Sequence, residues 1–201
     1  MADPFPGTFE TDRLRFERIG PGTPAVHDVY DHFAHEDGIE QATRYMFWEP
    51  HAHPEETRDF VDRSGRTAER GEDAKYAIYV REGEDGAGEF AGTTGLHTRW
   101  DRRTVEYGIW LRKPFWGRGY SGERAVALAE LAFDRLDLDL VAVTVLDEND
   151  QSRRAIEKYV DRLGGQYDGY FRHLQHDGDG PVGVHRYTVD RAQYEGSDGD
   201  R

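Results

Sequence analysis

The chain has 201 residues, 26 Lys and Arg against 40 Asp and Glu for a formal charge of −14, and no cysteine, a length that suits one domain or at most two small ones with a sizeable core. The missing cysteine excludes a disulfide framework, a zinc–thiolate site, an iron–sulfur cluster and a cysteine nucleophile. So acidic a surface repels nucleic-acid backbones and anionic membranes, so neither is expected as a partner.

Residues 8–19 carry a Leu14/Phe16 alternation closed by Gly20-Pro21-Gly22, which predicts one strand. Helical spacing follows over 24–35 and 53–71, the second opening at Pro54 with Glu55 and Glu56 in its first turn. Strand-like runs at 74–82, 89–97 and 104–112, with short glycine-rich separators such as 83–88, predict an antiparallel meander. Loop 113–119 leads into a helix over 120–135, where Ala125, Leu128 and Ala132 recur at three and four residues and give one apolar face. Residues 140–146, Leu-Val-Ala-Val-Thr-Val-Leu, read as a buried parallel strand. A helix over 151–160 and strands over 166–173 and 183–190 complete the series, leaving 1–7 and 191–201 as flexible termini. With no internal repeat and no interior linker, the expectation is a single domain over 8–190. Its class is α/β (α+β), a mixed, mostly antiparallel central sheet with one βαβ crossover, distinct from a doubly wound fold.

The glycines Gly117-Arg118-Gly119-Tyr120-Ser121-Gly122 sit at the start of the 120–135 helix. A helix N-terminus offers free N–H groups and about half a positive charge, and glycines let a ligand approach the backbone, so a phosphate or pyrophosphate fits there. The same residues match the G-x-G-x-x-G pattern of dinucleotide-binding folds, with Asp139 about 20 residues on. That reading needs the first glycine directly after a buried strand within repeated βαβ units, whereas residues 112–116 intervene after a meander. A third reading is a tightly packed helix entry with no ligand. Local charge distinguishes the region: Arg99, Arg102, Arg103, Arg112, Lys113, Arg118 and Arg124 against Asp101, Glu106 and Glu123 give 7 − 3 = +4 in an acidic chain. Either these cations meet an anionic ligand or they pair with surrounding carboxylates.

Only Lys75, Lys113 and Lys158 are lysines, so 26 − 3 = 23 of the basic residues are arginines. Excess carboxylate, arginine over lysine and a mean hydropathy of −0.87 resemble proteins of salt-loving organisms, where a Debye length of about 3 Å at molar salt screens the acidic repulsion. The opening residues lack the basic and apolar regions of a signal peptide, and no 18 apolar residues run together, so a soluble cytoplasmic protein is expected.

Three stretches carry a resemblance. They are Val105-Glu106-Tyr107-Gly108-Ile109-Trp110-Leu111, then Phe115-Trp116-Gly117-Arg118-Gly119-Tyr120-Ser121-Gly122-Glu123, then Asn149-Asp150-Gln151-Ser152 with Ile156-Glu157-Lys158. Together they resemble the GNAT N-acetyltransferase superfamily, on the side of its ribosomal-protein N-terminal acetyltransferases, and Glu10-Thr11-Asp12-Arg13-Leu14 resembles that branch's first strand. The resemblance covers about residues 8–190 and implies two splayed parallel strands that receive acetyl-CoA, with helices on both faces of the sheet. It assigns main-chain groups of Trp110, Leu111 and Arg112 to pantetheine and the amides of Gly117, Arg118, Gly119, Tyr120, Ser121 and Gly122 to pyrophosphate. Arg118 would add a charged contact. Asn149 falls where the family contacts pantetheine, and Ser152 where a small or hydroxyl residue faces the thiol; the same segment also reads as a polar turn and N-cap.

The implied reaction needs a neutral amine and a base for its proton. Strand alternation places Glu106, Gly108 and Trp110 on one face, and Glu106 matches a family base position or is an ordinary strand carboxylate. The tyrosine that many members use as the acid is replaced by Ile156, which leaves Ser152, a water or Tyr159 to protonate the thiolate. His51 and His53 lack a third ligand at recognisable spacing, so no metal is expected. Tyr45, Phe47 and Trp48 either shape an amine pocket or pack the core. The function expected is transfer of acetyl from acetyl-CoA to a primary amine, a protein N-terminus or a small molecule, by a monomer or homodimer. The rival is a non-catalytic acyl-CoA sensor or interaction module.

Overall fold

A computed structural model describes residues 3–176 and 180–197. Two compact units emerge, one comprising the residues up to His97 with Ile109–Tyr120, the other Thr98–Gly108 with the residues from Ser121 onward. The strands form one eight-stranded sheet in the order β1-β2-β3-β4-β5-β6-β8-β7, mostly antiparallel with one parallel pair, β5 with β6.

In the first unit, β1 (Thr8–Glu10), β2 (Leu14–Arg18), β3 (Asp73–Val80) and residues 90–97 of β4 (Phe90–Arg99) run antiparallel in sequence. The single strand expected over 8–19 is therefore a hairpin. Its turn contains neither glycine nor proline; the Thr11 hydroxyl substitutes, accepting the Leu14 N–H at 3.2 Å and donating to the Leu14 carbonyl at 3.3 Å. The hairpin stacks Phe9 on Phe16 with ring centroids 4.4 Å apart. Helices α1 (Val26–Ala34) and α3 (Pro54–Glu69) supply Val29, Phe33 and Val61 to a core with Ile19, Ala77, Phe90 and Trp110, and α2 (Ile39–Thr43) packs Ile39 and Ala42 against it. Burying each large apolar side chain contributes roughly 1.5–3 kcal/mol. At Gly92 (φ 151°), beside the shift in β3–β4 register, a Cβ would lie 2.1 Å from the Trp110 carbonyl oxygen, so only glycine lets these backbones approach.

The second unit contains residues 104–108 of β5 (Thr104–Leu111), nearly all of α4 (Tyr120–Glu130) with a following π-helical turn (Leu131–Arg135), and β6 (Leu140–Leu146). It continues with α5 (Asp150–Arg162), β7 (Gln166–His176), β8 (Pro181–Asp190) and α6 (Arg191–Gly196). β8 lies antiparallel between β6 and β7. The parallel pairing runs from Thr104↔Leu140 to Glu106↔Ala142 and stops, although both strands continue.

Two segments read as flexible ends carry structure. Phe5 is buried in the first unit, and the Arg18 guanidinium donates to its carbonyl at 2.8 Å. Residues 191–196 form α6, entered by a capping box between Asp190 and Gln193 and held by buried Tyr194, whose ring stacks on Phe133 at 4.5 Å. Residues 198–201 and 177–179 lie outside the described residues. No helix among the described residues is long and apolar enough to cross a membrane.

Candidate active site

The glycine loop belongs mostly to the first unit. Gly117 and Gly119 hold φ of 75° and 81°, the left-handed conformation that lets successive N–H groups turn toward one side ahead of α4. A Cβ at Gly117 would meet nothing within 4 Å, so a ligand has access to the backbone. Arg13, which sequence reading passed over, reaches this loop from the β1–β2 turn: Nη1 donates to the Arg118 carbonyl at 2.9 Å and the guanidinium lies 5.1 Å from the Tyr120 ring centroid. Tyr120 itself is buried and donates from its hydroxyl to Glu84 at 3.2 Å.

Of the basic side chains counted around the loop, four are ion-paired among the described residues. Arg118 meets Asp85 at 3.2 Å, Arg112 meets Glu36 at 2.7 Å, Arg102 meets Asp101 at 3.9 Å, and Arg103 grips Asp139 at 2.6 and 3.0 Å. Pairing with surrounding carboxylates is thus the fate of most of this island. The Arg103 guanidinium occupies both Asp139 carboxylate oxygens and holds the carboxyl below its ordinary range, so Asp139 is committed to an ion pair and not turned toward a ribose.

The main-chain groups assigned to pantetheine are already engaged in part. Arg112 N–H donates to the Ala91 carbonyl at 2.9 Å, and its carbonyl accepts from Phe115 N–H at 3.0 Å, so its main-chain N–H is not available to pantetheine. The Leu111 carbonyl accepts the Trp116 indole N–H at 2.8 Å, which fixes the aromatic side chain just before Gly117. Trp110 packs its ring on Phe33 at 5.0 Å and Trp48 at 5.4 Å. Trp48 therefore joins the core and Phe47 stands exposed. His51 stacks on Phe33 and shares a 2.7 Å hydrogen bond between Nδ1 and the Thr57 hydroxyl, so it too is part of that packing.

In the second unit, Glu106 occupies the last register position of the parallel pairing. Its Oε1 accepts from the Thr144 hydroxyl at 3.3 Å, and that hydroxyl oxygen accepts from Gln175 Nε2 at 3.3 Å. The chain of donors fixes one carboxylate oxygen and leaves the other to take a proton. Neither Thr144 nor Gln175 was legible as a site residue, since they stand 38 and 69 positions from Glu106 with no local signal. Asn149 caps α5, its Oδ1 accepting the Ser152 N–H at 3.1 Å, so the N-cap reading holds and the Asn149 amide NH₂ is the group left to turn outward. Ser152 is half-buried on that first turn and Ile156 is buried. Tyr159 is buried with Tyr107, and burial pushes its phenol up to about 12 against the lowering influence of Arg124. Arg124, also buried, lies 5.0 Å from the Tyr107 ring centroid and 5.8 Å from that of Tyr159.

A sequence profile described as an acetyltransferase (GNAT) domain matches residues 18–159, more than half of the chain. The chain belongs to the GNAT acetyltransferase family. This acetyltransferase domain is 24% identical over 157 residues to the uncharacterized N-acetyltransferase p20 of Bacillus licheniformis, a match covering 78% of this chain and 84% of that one. Among solved structures, a GCN5-related N-acetyltransferase from Brucella melitensis superposes with a TM-score of 0.79 at 19% identity, covering 96% of this chain and 82% of the other. Spermidine N-acetyltransferase from Vibrio cholerae, crystallised with CoA and spermine, gives a TM-score of 0.70 at 14% identity over 92% of this chain and 99% of its own. These likenesses establish the GNAT fold. Within the acetyltransferase domain, the two positive-φ glycines and the open space at Gly117 fit the pyrophosphate of acetyl-CoA.

Proposed function

We propose that this acetyltransferase domain, acting over residues 8–190, moves the acetyl group of acetyl-CoA directly to a primary amine, with Glu106 as the base. The observation that carries the reading is the Gln175–Thr144–Glu106 chain at the point where the parallel pairing ends, on the strand that leads into the glycine loop. The N–H groups from Gly117 to Gly122 take the pyrophosphate, with the loop held by Arg13 and Arg118. The Asn149 amide NH₂ orients the pantetheine. Glu106 removes the ammonium proton so that the amine lone pair attacks the thioester carbonyl, and the Ser152 hydroxyl protonates the departing thiolate. The acidic surface favours a cationic acceptor, a polyamine-like amine or a protein N-terminus, and suits a salt-rich cytoplasm.

The test is thiol release from acetyl-CoA with an amine panel in molar salt, followed by mass analysis of the acetylated amine. Glu106→Gln is expected to lower turnover by about 10²-fold or more, the usual range for losing a positioned base. Full activity in that variant across pH would remove Glu106 from the role. Gly119→Glu puts a carboxylate and an unfavourable φ of 81° into the loop, so the melting-temperature rise given by acetyl-CoA should vanish. Tight acetyl-CoA binding with no release to any amine would make the protein a sensor.

A further inference from the structure

β7 and β8 carry a cluster of titratable groups outside every residue assigned above. His185 on β8 is held from both sides: Asp147 Oδ1 lies 2.8 Å from its Nε2, and the Tyr167 hydroxyl lies 2.8 Å from its Nδ1. A carboxylate only accepts, so the 2.8 Å contact puts a proton on Nε2. In the neutral imidazole Nδ1 is then a bare lone pair, and the phenol O–H must donate to it. Carboxylate, imidazole and hydroxyl thus stand in the order that orients a base and points it at a nucleophile.

The surroundings keep this arrangement in place. The His185 side chain is 14% exposed, whereas Tyr167 at the far end is 51% exposed, so a fixed base serves an accessible oxygen. Arg153 Nη1 approaches His185 Nε2 at 3.4 Å, and the same guanidinium reaches Asp150 and Glu157 at 3.7 Å. Tyr187 packs its ring 5.0 Å from Tyr167 and spends its own hydroxyl on Glu157 at 3.0 Å. Tyr170 provides a control within the molecule. It is 46% exposed and its ring lies 5.3 Å from His185, yet its hydroxyl sits over Gly183 and makes no bond to the imidazole.

We propose that Tyr167 is an activated nucleophile, a site on the protein itself that accepts an acyl group from small activated donors such as thioesters and acyl imidazoles. The phenol oxygen forms an ester bond to the acyl carbon while the carbon–sulfur or carbon–nitrogen bond of the donor breaks. The phenol proton passes to Nδ1 of His185 and then to the departing thiolate or imidazole. Asp147 positions the ring and stabilises the transient imidazolium. This goes beyond amine acetylation and does not depend on it, because an acyl imidazole needs no cofactor loop.

The full chain is treated with N-acetylimidazole, sampled over time, and digested for mass spectrometry of the peptides carrying Tyr167 and Tyr170. Tyr167 should acylate at least about tenfold faster than Tyr170, at the low end of general-base assistance. His185→Gln should bring Tyr167 down to the Tyr170 rate, with Tyr170 unchanged as evidence that the fold is intact. Asp147→Asn should give an intermediate rate. With acetyl-CoA as donor, the label should appear on Tyr167 and be released by neutral hydroxylamine, as an ester is and a lysine amide is not. Equal rates for the two tyrosines, a ratio untouched by His185→Gln, or no ester from acetyl-CoA would each overturn the proposal.

Discussion

The two units bury charge in opposite ways. In the first, Arg112 (8% exposed) faces a carboxylate, with Nε 2.7 and 2.8 Å from the oxygens of Glu36, and His32 Nδ1 approaches the same carboxylate at 3.3 Å. In the second, Arg124 (1% exposed) lies between Tyr107 and Tyr159, and its Nε and Nη1 have no hydrogen-bond partner among the described residues. A guanidinium tolerates both settings because its charge is delocalised and weakly hydrated. One solution depends on a counter-charge, the other on the negative faces of aromatic rings. The first is broken by deleting an acid, the second only by deleting rings or the cation itself.

The largest expected effect is at Glu36. Glu36→Ala leaves the buried Arg112 charge only the longer 3.5 Å contact to Glu89 and its bond to the Phe90 carbonyl, and should cost up to about 3 kcal/mol, read by urea denaturation, while Glu36→Leu with Arg112→Met should restore most of it. A single-variant cost no larger than that of an exposed pair would erase the contrast. The pH dependence comes next and should differ in sign. Burial, aided by Arg112, holds His32 below its ordinary 6.5, and burial does the same for His51. The fold favours their neutral forms, so their contribution is present above pH 6.5 and declines as pH falls and the unfolded chain takes up protons first. Burial raises Tyr159 to about 12, so its contribution is intact below the ordinary 10 and is lost as pH rises toward 12. Melting temperature against pH, with phenolate absorbance on the alkaline side, should show both limbs. The smallest effect is Arg124→Met. Losing the ring contacts costs up to about 2 kcal/mol but removes a buried charge, so net stability should change by only about 1 kcal/mol. The Tyr159 ionisation should move to higher pH, because the Arg124 charge lowers it in the native protein.

Elements with long periodic patterns were legible in the sequence. The strands at 74–82 and 140–146 and the helix at 53–71 differ from β3, β6 and α3 by at most two residues at either end. The hairpin of β1 and β2 was not, because a threonine hydroxyl makes its turn where glycine or proline would announce one. α6 had a readable signal, Asp190 followed three residues later by Gln193, in a tail set aside for its polarity. In the candidate site, the glycine loop and Glu106 were visible as local patterns. Their partners were not: Arg13 lies 105 positions from Arg118, and Glu36 lies 76 from Arg112. Such pairs exist only once the chain has folded, so the sequence left the basic island between an anionic ligand and carboxylate partners, and the fold commits most of its charges to the second.

The preference for arginine also bears on how this protein ages. A guanidinium stays protonated at neutral pH and offers no lone pair to an activated acyl group, whereas a lysine amine does. With lysine at only Lys75, Lys113 and Lys158, a member of an acyl-transferring family carries a cationic complement that stray acylation barely erodes. The weakest point is Lys75, whose ammonium lies 4.9 Å from the Phe60 ring centroid and is pulled below its ordinary 10.5 by desolvation and by Arg63. Chemical wear on the surface charge should therefore begin at that one side chain and leave the arginines untouched.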